Sequence, residues 1–335
     1  MIRATSRRAM CVMSGAALAA LVAGAALVAA PADLPRPLAS VGSQTGAQDQ
    51  PRTGQVFRAA ADAISVPVSV LDDGRPVADL PLERFALFDN GVMQEISLMH
   101  VGRLPIDVTL VLDTSGSVSG EAMQALVGDV RTIVGALDPD DRVRLLTFSQ
   151  GVRETAPLRP ASEGLDLGAI APGGSTAFFN AVIAALLSGA DPARPHLVIA
   201  LGDGGDNTSW LREDDLRSVA ERSDMVLHVV VRDRWTSTAT CLGCRAGPGW
   251  LPYASPQFSD LIEHAAAATG GGFHRVRGDA PLADVFQRIV EDFKATYLLW
   301  FEPTGTPAPG WHDLVVRIRG GGGYEVRARR GYFGG

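Results

Sequence analysis

The stretch that decides the fold is Ile106-Asp107-Val108-Thr109-Leu110-Val111-Leu112-Asp113-Thr114-Ser115-Gly116-Ser117. Its first seven residues form a nearly continuous apolar run, the pattern of a strand covered on both faces. A polar segment ends that run. Beyond it Leu126, Val130, Ile133, Val134 and Leu137 repeat at i, i+4, i+7, i+8 and i+11, one stripe of a helix. The alternation continues downstream. Strand-like residues 143–148 precede a helix beginning near Thr176, and residues 197–201 precede one around Glu213–Arg222. Residues 226–231 precede a helix over 258–268, and residues 273–276 precede one carrying Leu282, Val285, Phe286, Ile289, Val290 and Phe293. Strands alternating with helices predict an α/β domain over residues 104–294, built on a doubly wound, mostly parallel sheet.

On either side the period changes to two. Ile64, Val66, Val68 and Val70 alternate with smaller or polar residues, and the turn signal Asp72-Asp73-Gly74 follows. Residues 84–89 and 94–100 read as further short strands flanking Asp89-Asn90-Gly91, a strong hairpin signal. After Lys294, residues 296–301 are apolar, and Leu314, Val316 and Ile318 alternate with Val315, Arg317 and Arg319. Residues 320–323 make a turn, and 324–332 form another alternating segment. Neither flank has enough strands to bury a core alone. Residues 58–103 and 295–335 are therefore predicted to pair into one small β-sandwich, with the α/β domain inserted between them.

The N-terminus has the form of an export signal. Arg3, Arg7 and Arg8 precede an uncharged, Ala-rich stretch over residues 9–30 that ends in Ala30-Pro31-Ala32. Cleavage near Ala30 or Ala32 is expected. The alternatives are an uncleaved anchor facing the periplasm and, from Ser6-Arg7-Arg8, a twin-arginine signal. Residues 33–57, rich in Pro, Gln, Ser and Gly, read as a flexible linker. Loss of a leader over residues 1–32 removes three arginines and moves the formal charge from −7 to −10. An acidic, exported chain without clustered Lys and Arg excludes a broad nucleic-acid-binding surface. Cys241 and Cys244, in a Gly/Pro/Thr-rich stretch, are most simply a small disulfide. A zinc knuckle would need two more ligands, and a redox-active dithiol would normally open a helix.

Three polar clusters fall where strands of the α/β unit end. They are Asp113-Thr114-Ser115-Gly116-Ser117, Gly173-Gly174-Ser175-Thr176 and Gly202-Asp203-Gly204-Gly205-Asp206-Asn207. Loops at the carboxyl ends of strands in a doubly wound sheet converge on one place. Two carboxylates and three hydroxyls make an all-oxygen donor set, suited to a hard divalent cation such as Mg²⁺. Asp206 and Asn207 either line the rim of such a site or cap the helix at Glu213. Asn207-Thr208-Ser209 matches a glycosylation sequon but is read here as a loop.

The order Asp-x-Ser-x-Ser, Gly-Gly-x-Thr and Asp-Gly on successive elements resembles the metal-ion-dependent adhesion site of von Willebrand factor A domains, a Rossmann-like fold. The resemblance covers about residues 104–293. The flanks are similar to those of bacterial exported VWFA-related domain proteins. It implies a divalent cation, Mg²⁺ or alternatively Mn²⁺ or Ca²⁺, held by Asp113, Ser115, Ser117, Thr176 and Asp203. It also implies a coordination position open to an Asp or Glu carboxylate of a partner protein. Gly202 departs from the family, standing where Thr or Ser is frequent, and the Cys-containing loop looks like an insertion. The alternatives are a structural domain without metal and, behind it, a metal-assisted hydrolase.

Enzyme signatures fail. A haloacid-dehalogenase-type phosphatase needs a second Asp where Ser115 stands. A serine-hydrolase elbow needs Ser where residues 116–120 have Val118. There is no phosphate-binding Gly-x4-Gly-Lys-Ser/Thr loop, and Gly270-Gly271-Gly272 leads into a strand rather than opening a helix. The expectation is a binding module and not an enzyme.

Overall fold

The structure is a computed structural model that describes residues 63–334, apart from 119, 169, 190, 192–193, 203–204, 233–255, 278–279 and 307–308. The leader, the linker over 33–57, Asp203, Cys241 and Cys244 therefore lie outside the described residues. Among the described residues no helix is long and apolar enough to cross a membrane.

The chain opens with β1 (Ile64–Asp72), β2 (Arg75–Pro76), β3 (Phe85–Asp89), β4 (Val92–Gln94) and β5 (Ser97–His100). It then builds the α/β unit from β6 (Asp107–Asp113), α1 (Glu121–Gly135), β7 (Arg142–Phe148), β8 (Val152–Pro160) and α2 (Phe178–Leu186). The unit continues through β9 (His196–Gly202), α3 (Glu213–Arg222), β10 (Val226–Arg232), α4 (Pro256–Ala268), β11 (Gly272–Val276) and α5 (Leu282–Lys294). Finally β12 (Tyr297–Phe301), β13 (Gly310–Ile318), β14 (Glu325–Ala328) and β15 (Gly331–Gly334) return to the flank.

Six strands form the central sheet in the order β11-β10-β9-β6-β7-β8, all parallel except β8. The apolar run of β6 is explained by its two covered faces. Val108, Leu110 and Leu112 pack against Leu126, Val130 and Ile133 of α1 and Phe286 and Ile289 of α5. Val111 points the other way, into a cluster with Phe178 and Val182 of α2, Leu216 of α3 and Phe258 and Ile262 of α4. The amino edge is stitched by Asp107, whose carboxylate accepts from Arg142 (2.8 and 2.6 Å) and Arg194 (2.7 Å). Burial raises the pKa of Asp107, but the two guanidinium groups outweigh it and hold the carboxyl below its ordinary value.

The flanking strands make two antiparallel sheets, β14-β1-β12-β5 with β2 at the side, and β15-β13-β3-β4. Their inner faces share one core that contains Val66, Val68 and Val70, Phe85 and Leu87, Tyr297 and Leu299, Leu314 and Tyr332. The chain passes into and out of the α/β unit side by side, where Val101 N donates to Thr296 O at 2.9 Å. A polar group is buried in this core. Asp89 accepts from His312 Nδ1 at 2.8 Å and from the Tyr332 hydroxyl at 2.7 Å. Burial and the neighbouring Asp89 carboxylate together push the Tyr332 hydroxyl above its ordinary value.

Three local expectations change. Residues 94–100 are not one strand: Gln94 ends β4 in one sheet, while β5 belongs to the other. The alternating segment 324–332 likewise divides into β14 and β15, on opposite sheets. The antiparallel edge strand β8 has no counterpart in the sequence reading. Its Val-Arg-Glu-Thr-Ala-Pro-Leu-Arg-Pro is neither apolar nor alternating, because most of it faces solvent.

Candidate metal centre

Strand register brings the clusters to one edge. Asp113 lies opposite Phe148 at the end of β7, and Leu112 lies opposite Leu201, one residue before Gly202. Asp113 is fully buried and Ser115 is 1% exposed. The loop after β6 is folded tightly back on itself. Ser115 N donates to Asp113 Oδ1 at 2.7 Å, and Val118 N donates to Ser115 O at 3.0 Å. These turns set the Ser115 and Ser117 hydroxyl oxygens 2.9 Å apart.

This loop is braced on both sides. Thr114 gives its amide and its hydroxyl to Phe148 O, at 2.7 and 2.9 Å. Gly116 N donates to Gly174 O at 3.0 Å, and Gly173 N donates to Thr114 O at 2.8 Å. Gly174 sits at φ +86°, in the left-handed region, so a side chain there would strain the brace.

Thr176 is held by Asn207 through its backbone. Its N–H donates to Asn207 Oδ1 at 2.8 Å, and its carbonyl accepts from Asn207 N at 2.9 Å. The helix expected near Thr176 begins at Phe178, and nothing in its own sequence caps it. The loop after β9 does so instead. Phe179 N donates to Asp206 Oδ2 at 2.8 Å, and Asn180 N donates to Ser209 Oγ at 3.1 Å. Asp206 Oδ1 also accepts from Ser209 N at 3.1 Å, and Asn180 Oδ1 accepts from Leu211 N at 3.1 Å. Burial raises the carboxyl pKa of Asp206, against the opposing pull of these donors.

Asp206 and Asn207 therefore do not cap the helix at Glu213. That helix is capped from within, by Asp215 Oδ2 accepting from Arg212 N at 2.7 Å. The pair instead ties the third cluster to the second. The sequence signal for this was the Asp-Asn pair itself, but its target is fixed by tertiary contact. Trp210, on the same loop, is 83% exposed and had no sequence signal at all.

At Gly202 a Cβ would lie 3.4 Å from Asp113 Oδ2 and 3.5 Å from the Phe178 ring, ordinary contact distances, so packing does not demand a glycine there. Phe178 meets Phe148 edge-on at 5.9 Å between ring centres. The structure thus brings together the loops of Asp113, Ser115, Ser117 and Thr176, while Asp203 is outside the described residues. Among the described residues no three His, Cys, Asp or Glu side chains cluster as metal ligands, so the donors on hand are one carboxylate and three hydroxyls.

A doubly wound sheet whose carboxyl edge carries one Asp and three hydroxyl residues on braced loops defines a class of α/β domains. Residues 107–230 match the family described as von Willebrand factor type A domain, and the chain carries such a domain. No protein with a curated description matches the chain. Among solved structures, a von Willebrand factor type A protein from Catenulispora acidiphila is 14% identical, with a TM-score of 0.44 over 83% of this chain and 65% of that one. The conserved hypothetical protein BatB from Bacteroides thetaiotaomicron is 15% identical, with a TM-score of 0.42 over 56% of this chain and 98% of that one. The PilB minor pilin from Streptococcus sanguinis is 14% identical, with a TM-score of 0.39 over 57% of this chain and 62% of that one.

Proposed function

We propose that the chain is an exported, metal-dependent protein-binding module and not an enzyme. Asp113, Ser115, Ser117, Thr176 and Asp203 hold a divalent cation, Mg²⁺ or in its place Mn²⁺ or Ca²⁺. A partner protein presents an Asp or Glu carboxylate to it. One observation carries this: buried Asp113 and the paired Ser115 and Ser117 hydroxyls, 2.9 Å apart, sit on a loop braced to the loop of Thr176. Such donors are all hard oxygens, with no thiolate or imidazole among them, which favours Mg²⁺ over zinc or copper. The ion, when bound, supplies an electrophilic coordination position for the incoming carboxylate.

The protein's own residues do the positioning. Ser115 N orients the Asp113 carboxylate, the Gly116–Gly174 contact sets the spacing of the two loops, and Asn207 fixes the backbone at Thr176. The Arg-led apolar leader supports export, and Cys241 and Cys244 would form a disulfide in that compartment. Calorimetric titration of the purified chain with MgCl₂ tests the site: binding is expected, and Asp113→Ala abolishes it. Absence of any Mg²⁺, Mn²⁺ or Ca²⁺ response in the wild type would leave a structural domain. Asp113-dependent hydrolysis of a phosphate ester or peptide would replace the binding module with an enzyme.

A further inference from the structure

The central sheet has a free edge beside this site. β8 is its last strand and pairs only with β7, with Val152 opposite Phe148 at the end where Asp113 lies. Among the described residues no backbone hydrogen bond reaches residues 152–156 from outside that ladder. Val152 is 37% exposed, and Arg153 and Glu154 are exposed beside it. Natural sheets usually blunt such an edge. Here Pro157 and Pro160 blunt its far half, since proline offers no ladder donor, and the half nearest the candidate metal centre is left open.

A groove of about 590 Å³ lies at this open half, lined by Val152 and Thr155 of β8 together with Thr114, Ser149, Ile170 and Ala171. Arg153 lines it as well. Glu154 carries the opposite charge but is engaged by Arg144, at 3.2 Å. The available charge in the groove is thus positive, and the cation proposed at Asp113, though balanced in charge by Asp113 and Asp203, offers a coordination position for a carboxylate at the same end.

We propose that this edge takes an extended acidic segment of the partner protein, added as a seventh strand alongside residues 152–156. This rests on the metal-site proposal above. One carboxylate of the segment meets the cation, and a second, further along, pairs with Arg153. Strand addition supplies main-chain hydrogen bonds for affinity, while the groove and the two cationic positions supply selectivity. Pro157 offers no donor to a seventh strand, so the added strand is short, about five residues.

The test is selection of displayed random eight-residue peptides on the immobilised full chain in Mg²⁺, with elution by EDTA. Enriched peptides should carry two acidic residues among β-branched ones. They should bind Arg153→Glu at least tenfold more weakly, and slow hydrogen exchange at the amides of residues 152–156. Arg153→Glu itself should keep the wild-type melting temperature and Mg²⁺ affinity, since Arg153 is an exposed residue outside the proposed ligands. A chain that binds no metal sinks the metal-site proposal, and this inference with it. A chain that binds Mg²⁺ overturns this inference alone in any of three ways: no enriched peptides, peptides indifferent to Arg153→Glu, or unchanged exchange at 152–156. Mg²⁺-independent dimers that protect those amides would assign the edge to a second copy of the chain, and overturn it too.

Discussion

Asp206→Ala separates a capping role from a surface role. The carboxylate is 6% exposed and accepts two amides, Phe179 N at 2.8 Å and Ser209 N at 3.1 Å. Losing the cap of α2 costs about 1 kcal/mol. The second amide, part-buried, costs about 1–2 kcal/mol when left without an acceptor. Part of this is returned, because burial already disfavours the charged carboxylate, as its raised pKa records. The net is about 2 kcal/mol, or a fall of roughly 4–8 °C in melting temperature for a unit of this size. Asp206→Asn keeps one acceptor and sheds the buried charge, so it should lose less than half as much. Scanning calorimetry of wild type, Asp206→Ala and Asp206→Asn in EDTA measures both. A melting temperature for Asp206→Ala within 1 °C of wild type would refute the capping account, as would Asp206→Asn falling as far as the alanine variant.

Asn207→Ala leaves the proposed ligands in place but frees the backbone of Thr176. Mg²⁺ affinity by titration should fall about tenfold, the scale for groups that orient a ligand, and unchanged affinity would remove Asn207 from that role. Stability should also fall with acid. Burial, the main cause for each ring, holds His196 and His274 at about 4 and His228 at about 3. These values lie below the unfolded value of about 6.5, so their contribution is complete above that pH and is lost as pH falls toward the folded values. The loss from pH 6.5 to 5 is about 1–2 kcal/mol for His196, with a further loss for His228 and His274, which share a hydrogen bond and titrate as a pair. Asp129, Asp206 and Asp292, all raised by burial, act in the opposite sense as pH falls through their own values. Equal urea midpoints at pH 7 and 5 would contradict this. Gly271→Ala should cost about 3 kcal/mol or more, because its Cβ would lie 1.9 Å from Leu227 O. Gly128→Ala, on the exposed side of α1 with nothing within 4 Å, should instead gain about 0.5–1 kcal/mol in urea unfolding.

What the sequence carried plainly were elements whose burial is written into their own residues. The run before Asp113 had to be a doubly covered strand, and the stripe from Leu126 to Val134 had to face it; both follow from periodicity alone. β8 was illegible for the converse reason, because an exposed edge strand is held by its ladder with β7 and needs no apolar pattern. The split of residues 94–100 was also hidden. Gln94 closes β4 by accepting from Thr304 N at 2.9 Å, a contact some two hundred positions away. At the candidate centre, the identities and order of Asp113, Ser115, Ser117 and Thr176 were legible, and the bracing that aims them was not. Asn207 reaches Thr176, and Asp206 reaches Phe179, across a gap that no local pattern spans.

The pairing of Ile64 with Phe301 sets a schedule for the newborn chain. Synthesis runs from the N-terminus at about 5–20 residues per second, so β1 waits roughly 10–50 s for β12 to be made. Through that interval Val66, Val68 and Val70 of one layer and Phe85 and Leu87 of the other lack β12 and β13, the strands that complete their sheets, and the shared core stays half built. The α/β unit, by contrast, has all its strands and helices before β12 is made and can fold without it. Its closure then draws Val101 and Thr296 together, and with them the two halves of the outer core. The β-sandwich is thus the last part to assemble, and the newborn chain is most exposed to misassociation before its final forty residues arrive.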